Sequence, residues 1–121
     1  MRVLIVDDSR SMRSILRRIV TGLGHTDVAE AEHGADALAQ VGAQLPELVL
    51  VDWNMPVMGG REFITELRKD RAHDRVKVLV VSSESNARIV MDALRAGADE
   101  YAMKPVTEEV ISDKLALMGL A

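Results

Sequence analysis

The chain has 121 residues with 15 Lys and Arg against 19 Asp and Glu, a formal net charge of -4, and this length suits one domain over residues 1–121. It contains no cysteine, which excludes disulfides, thiolate metal sites and thiol catalysis. Its mild acidity and its low aromatic content, 2% of the residues, argue against binding to nucleic acid or to an anionic membrane surface.

The first predicted element is a short apolar strand over residues 3–6, which ends at Asp7 and Asp8. This apolar run is too short for a signal-peptide core or for a membrane span. No other apolar run in the chain approaches the length that a signal-peptide core or a membrane span needs. We therefore expect a cytoplasmic protein without membrane attachment.

A helix is predicted after this strand, because apolar residues recur at positions 12, 15, 16, 19, 20 and 23 with helical spacing. Ser9 or Ser11 would cap its start, and Gly22 or Gly24 would end it. Four arginines on this helix are predicted to form a basic stripe: Arg10, Arg13, Arg17 and Arg18. The stripe is either a solvated helix face or a docking surface for an acidic partner domain.

Four more strand–helix pairs follow along the chain. The strands are predicted over residues 27–31, 48–51, 76–81 and 100–103. The second helix is predicted around Leu38 and the third after Gly60, while Gly97 ends the fourth and Thr107 caps the fifth. Five alternating pairs with continuous apolar strands predict an α/β fold, a flavodoxin-like (βα)5 three-layer sandwich with parallel sheet order 2-1-3-4-5.

Polar side chains follow the predicted strands at the edge where this fold binds ligands. Asp7 and Asp8 follow the first strand, Asp52 the third, Ser82 the fourth and Lys104 the fifth. Three carboxylates at one edge repel each other unless a cation offsets their charge. Oxygen ligands without His or Cys favour a hard divalent ion such as Mg²⁺.

A lysine and a hydroxyl beside such a cation suit a phosphoryl group, whose oxygens need hydrogen-bond donors and positive charge. One of the carboxylates would itself be able to accept the group as an aspartyl-phosphate. These residues therefore predict a Mg²⁺-assisted phosphoryl site at the carboxyl edge of the sheet.

The same residues are similar to the receiver domain of bacterial response regulators, over residues 3–118. Four segments carry the resemblance: residues 4–9, residues 51–56, residues 80–83 and residues 97–105. The sequence Asp-Trp-Asn-Met-Pro from residue 52 is similar to the stand-alone, single-domain chemotaxis regulators of this family.

The resemblance implies a role for each matching residue. Asp52 would be the phosphoacceptor, and Lys104 would contact the phosphoryl oxygens. Asp8 would bind Mg²⁺ directly, with Asp7 close by or acting through water, and the backbone carbonyl of Asn54 would complete the protein ligands together with Asp52. The peptide bond that follows Lys104 would be cis.

The resemblance also implies a switch and two residues that tune its rates. Ser82 would donate its hydroxyl to the phosphoryl group after transfer, and Tyr101 would follow by swinging inward. Asn54 and Glu84 match positions that tune how fast the phosphoryl group arrives and leaves. Phosphorylation would then change a protein-binding surface formed by the fourth helix, the fifth strand and the fifth helix.

The partners implied are a histidine kinase or phosphotransfer domain as phosphodonor and a downstream protein target. Three positions depart from the family's usual pattern: Gly59 replaces an Asp, Val106 a Phe, and Ser82 the commoner Thr. The Gly59 departure bears on the rigidity of its loop, whereas Ser82 keeps the hydroxyl.

Two other functions share parts of this pattern. A flavin-binding electron carrier has the same topology, but it needs a hydroxyl- and glycine-rich loop where Asp7 and Asp8 stand. A small Mg²⁺-dependent phosphohydrolase with an aspartate nucleophile expects Asp-x-Asp after its first strand, which this chain lacks. We therefore expect a phosphoacceptor that is not an enzyme beyond its own phosphorylation and dephosphorylation.

Overall fold

A parallel sheet with a helix after each strand forms the molecule, whose computed structural model describes residues 1–84 and 86–120. In this part of the chain the strands are β1 (Arg2–Val6), β2 (Asp27–Ala31), β3 (Leu48–Val51), β4 (Lys77–Ser82) and β5 (Glu100–Met103). The helices are α1 (Arg10–Gly22), α2 (Gly34–Ala43), α3 (Gly60–Arg68), α4 (Ala87–Ala96) and α5 (Glu108–Leu117). A short 3₁₀ helix at Arg71–His73, between α3 and β4, was not predicted.

The strand order is β2-β1-β3-β4-β5 and every adjacent pair is parallel, which confirms the predicted topology. Val6, the last residue of β1, lies level with Val51, the last residue of β3. The ladder continues one step further, because the N–H of Asp52 donates to the carbonyl of Val6 at 2.9 Å. This register brings the residues after β1 and β3 to the same edge of the sheet.

The two faces of the sheet carry separate cores, as continuous apolar strands require. One core packs α2, α3 and α4 against the sheet, with Phe63 as its largest fully buried side chain. The other packs α1 and α5 against the opposite face through Leu16 and Ile111. The sheet is thus covered on both sides, and its carboxyl edge is left to the polar loops.

Helix termini match most of the sequence signals. Ser9, rather than Ser11, caps α1 by accepting from the N–H of Met12, and Thr107 caps α5. The imidazole of His33 caps α2, which was not predicted. Gly59 is the N-cap residue of α3 and makes no side-chain capping bond, because glycine has no side-chain acceptor.

Within the described residues, no helix combines the length and the apolar character needed to cross a membrane.

Candidate functional site

The predicted acidic residues do meet at the carboxyl edge of the sheet. One carboxylate oxygen from each of Asp7, Asp8 and Asp52 lies within 4.8 Å of the other two. Asp7 is buried, Asp52 is partly buried and Asp8 is exposed. The cluster therefore opens to solvent on the side of Asp8 and closes towards the sheet on the side of Asp7.

Lys104 joins this cluster from the end of β5. Its Nζ lies 3.0 Å from Asp7 Oδ2 and 3.4 Å from Asp52 Oδ2, so one ammonium group is shared by two carboxylates. Its backbone N–H donates to the carbonyl of Ser82 at 2.8 Å, and the peptide bond to Pro105 is cis as the resemblance implied. Burial lowers the pKa of Lys104, but its hydrogen bonds and charge interactions with Asp7 and Asp52 outweigh that effect and raise it.

Asp52 is set up differently from an exposed carboxylate. Its Oδ1 accepts from the backbone N–H of Trp53 at 2.7 Å, which fixes the side chain against its own loop. Burial raises the pKa of Asp52, and the nearby charge of Asp7 raises it further, while Lys104 and the Trp53 N–H act in the opposite direction. The net shift of the pKa is upward, so the ionised form of Asp52 is less favourable than that of an exposed carboxylate. A cation bound beside it would stabilise the ionised form.

The donor set of the cluster fits the predicted metal. Its three members are all carboxylates, and two of them, Asp7 and Asp52, contact the ammonium of Lys104. Hard divalent cations prefer such oxygen ligands, and Mg²⁺ retains waters at positions that the protein leaves open. Asp8 is exposed, so water can reach the cluster from its side. The carbonyl of Asn54 as a further ligand stays a prediction.

A second group of predicted residues forms a hydrogen-bonded chain beside the cluster. Ser82 is 1% exposed, and its Oγ accepts from the N–H of Glu84 at 3.2 Å. The carbonyl of Glu84 accepts from the hydroxyl of Tyr101 at 2.7 Å, and its carboxylate accepts from Asn54 Nδ2 at 3.2 Å. The two predicted rate-tuning residues thus contact each other, and Glu84 links both of the predicted switch residues.

Tyr101 already lies inside the protein, because it is 8% exposed and its hydroxyl is bonded to the β4–α4 loop. The structure therefore shows the inward position, and a swing from an outward position stays a prediction. The neighbouring Ser83 is exposed, whereas Ser82 is buried and ends strand β4.

The arginines of α1 differ from the predicted stripe. Arg13 is 9% exposed, and both it and Arg17 form ion pairs with Glu30 of β2, at 2.9 and 2.7 Å. These two side chains turn back towards the sheet because a carboxylate faces them there. Arg10 and Arg18 are exposed, so they are the two members of the set that remain available as a solvated or docking face.

Three surface cavities of about 250 to 520 Å³ lie away from this edge. One of about 440 Å³ lies between α3 and α4 and is lined mainly by charged residues, Arg61, Arg68, Lys69, Asp92 and Arg95 among them. None of the predicted site residues line it. The candidate site is an open cluster at the rim of the sheet, which suits a small ion and a phosphoryl group better than a large organic ligand.

Comparison with known proteins agrees with this geometry. The family model of the response regulator receiver domain matches residues 3–116. The chain belongs to this family, which sets it apart from the flavin carriers and phosphohydrolases that share parts of its pattern.

Within the family the chain is similar to CheY proteins, which are chemotaxis regulators. It is 40% identical to a CheY homologue of Campylobacter jejuni over 95% of this chain and 89% of that protein. It is 37% identical to the chemotaxis protein CheY1 of Helicobacter pylori over 98% of this chain and 96% of that protein. The crystal structure of CheY4 from Vibrio cholerae has a TM-score of 0.88 and 29% identity over 95% of each chain.

Proposed function

We propose that Asp52 accepts a phosphoryl group from the phosphohistidine of a histidine kinase or phosphotransfer domain, with Mg²⁺ bound at the cluster. The observation that carries this proposal is the meeting of three carboxylates within 4.8 Å beside the Lys104 ammonium. The bound cation would neutralise charge on the transferring group and on its acidic neighbours. We place the protein in the cytoplasm as part of this proposal.

Each residue of the cluster then has its own role in phosphoryl transfer. The Asp52 carboxylate attacks phosphorus, the P–N bond to the donor histidine breaks, and an acyl phosphate forms on Asp52. Asp7 and Asp8 would hold the cation, and Lys104 would exchange its contact with Asp52 for one with a phosphoryl oxygen. Water would later cleave the acyl phosphate, releasing inorganic phosphate and restoring the Asp52 carboxylate. In this proposal the chain is a phosphoacceptor, and its only catalysis is of its own phosphorylation and dephosphorylation.

The chain of bonds through Glu84 is the route by which the phosphoryl group would change the protein. In the structure the N–H of Glu84 donates to the Oγ of Ser82 at 3.2 Å. If the Ser82 hydroxyl turns to donate to the phosphoryl group, its Oγ would move away from this N–H. A shift of the Glu84 backbone alters the carbonyl that holds Tyr101. Asn54 would feel the same shift through its bond to the Glu84 carboxylate.

The output surface is proposed to be the face of α4, β5 and α5. It exposes four large apolar side chains, which are between 37% and 50% exposed: Met91, Leu94, Met103 and Val110. A downstream protein target would cover them. Hydrogen exchange of the phosphorylated and free protein is expected to differ in α4 and β5 and to agree in α2.

Intact-mass measurement after incubation with acetyl phosphate and Mg²⁺ tests the proposal. The protein should gain one phosphoryl group, and Asp52→Asn should abolish the gain. Asp74→Asn is the matched control, because Asp74 is an exposed aspartate at the end of the 3₁₀ helix. No gain in the unmodified chain, or a gain that persists in Asp52→Asn, contradicts the proposal.

A further inference from the structure

Asp7 is held by a partner on each of its polar groups. Its N–H donates to the carbonyl of Ala31 at 3.1 Å. Its Oδ1 accepts from the N–H of Ser9 at 2.9 Å, and its Oδ2 accepts from Lys104 at 3.0 Å. Its carbonyl accepts from Nη1 of Arg13 at 2.8 Å. The last of these bonds comes from a residue to which the predicted chemistry assigned no role.

The Asp7 carbonyl needs this donor because of its place in the fold. Strand β1 ends at Val6, so the carbonyl of Asp7 lies beyond the described strand ladder. Asp7 is 1% exposed, and a buried carbonyl without a partner is costly. Arg13 lies on the first turn of α1 and reaches back over the β1–α1 loop to supply the bond.

Arg13 is itself fixed from a third element. Its Nε donates to Oε1 of Glu30 on β2 at 2.9 Å, and its Nη2 lies 3.9 Å from Glu32. The other oxygen of Glu30 is held by Arg17, and the carbonyl of Glu30 accepts from Gln40 on α2. The guanidinium therefore connects α1, β2 and the backbone of the loop that carries both acidic residues after β1.

We propose that Arg13 is a positioning residue for the cation site: it holds the Asp7 backbone so that Asp7 and Asp8 present their carboxylates to Mg²⁺. The inference rests on the proposed Mg²⁺ site and adds to it a residue outside the ligand set. Groups that orient metal ligands contribute to affinity without touching the metal.

The sign of the effect separates positioning from simple electrostatics. Arg13 carries a positive charge near the site, so its removal on charge grounds alone would strengthen the binding of a cation. If Arg13 positions the ligands, its removal weakens binding. Arg17 provides the matched comparison, because it carries the same charge and binds the same Glu30, but the hydrogen bonds described for it do not include Asp7.

Titration of the full chain with MgCl₂, followed by the fluorescence of Trp53, measures this affinity. Trp53 is the only tryptophan, and its backbone N–H donates to Oδ1 of Asp52 in the cluster. Arg13→Met is expected to raise the Mg²⁺ dissociation constant by on the order of tenfold. Arg17→Met is expected to leave it within about twofold, since the bond to Asp7 remains. Equal or tighter binding in Arg13→Met overturns the proposal.

Urea unfolding of each variant establishes that the titrations are made on folded protein. If Arg13→Met does not fold, Arg13→Lys decides the matter, because lysine keeps the charge but cannot bond to Asp7 and Glu30 with one planar fork. Its dissociation constant should then rise severalfold, and an unchanged value overturns the inference. A lack of any Mg²⁺ response in the unmodified chain is a different outcome: it defeats the proposed function itself and this inference with it.

Discussion

Replacement of Gly60 by alanine is expected to destabilise the protein, because Gly60 lies directly against the backbone of the phosphoacceptor loop. An added Cβ would lie 2.4 Å from the carbonyl oxygen of Asp52 and 3.0 Å from the Cα of Trp53. Non-bonded carbon atoms normally approach to about 3.5 Å. The N-terminus of α3 would therefore need to move away by roughly 1 Å, because the atoms in its way belong to the backbone and not to a flexible side chain.

The cost follows from what α3 would lose in that movement. The N–H of Gly60 donates to the carbonyl of Trp53 at 2.9 Å, and α3 buries Phe63 completely. Overpacking of this kind costs about 1–3 kcal/mol, and a weakened hydrogen bond adds roughly 1 kcal/mol. The gain in helix propensity from glycine to alanine offsets up to about 1 kcal/mol. We expect a net loss of roughly 2 kcal/mol in the free energy of unfolding.

Urea unfolding followed by circular dichroism measures this loss, and Gly42→Ala is its control. Gly42 lies in α2, is exposed, and has no heavy atom within 4 Å of the position of an added Cβ. The same substitution there should stabilise the protein by about 0.5–1 kcal/mol. If Gly60→Ala is as stable as the unmodified chain, the reasoning from close approach is refuted.

Three further substitutions follow from the charges and the backbone. The pKa of Asp52 is raised in the folded protein, so the stability that Asp52 contributes falls as pH rises from the pKa of the unfolded chain to the higher pKa of the folded protein. Asp52→Asn should therefore raise the urea midpoint at pH 7 in metal-free buffer, and a lower midpoint contradicts this. The pKa of Glu30 is lowered, because the bonds and charges of Arg17 and Arg13 outweigh burial. Its contribution is therefore present above pH 4.5 and is lost as pH falls through the lower folded-state pKa, so the gap in midpoint between the unmodified chain and Glu30→Gln should close in acid. Val57 has φ 67° and is 79% exposed, so Val57→Gly should stabilise by about 0.5 kcal/mol in thermal unfolding, while Val57→Ala, which keeps its Cβ, should gain less.

The elements that the sequence predicted best are those with strong local or repeating signals. The strands Asp27–Ala31 and Leu48–Val51 agree with their predicted limits, and β4 is displaced by one residue. The predicted caps Ser9 and Thr107 and the terminator Gly97 were also found, because capping depends on a few consecutive residues. The cap at His33 was missed, since imidazole is an uncommon acceptor at that position.

The site residues were predictable for a related reason. In a parallel sheet the residues after each strand meet at one edge, so the places of Asp7, Asp52, Ser82 and Lys104 followed once the strands were placed. The family's residue pattern then suggested a role for each. Their partners were not predictable, because the bond from Tyr101 to Glu84 depends on the conformation of a loop rather than on spacing.

The arginines of α1 show where tertiary structure decided the outcome. Helical spacing placed Arg10, Arg13, Arg17 and Arg18 on one helix and left their environment open. Helical periodicity describes a single element, whereas the carboxylate that meets Arg13 and Arg17 lies on β2, in a neighbouring part of the sheet. The sequence by itself determined the strand order, the acidic edge and the family. Only the tertiary structure, which places Glu30 of β2 beside α1, decided which of its charges face solvent and which one holds the backbone of Asp7, because side-chain partners are set by distances in space and not along the chain.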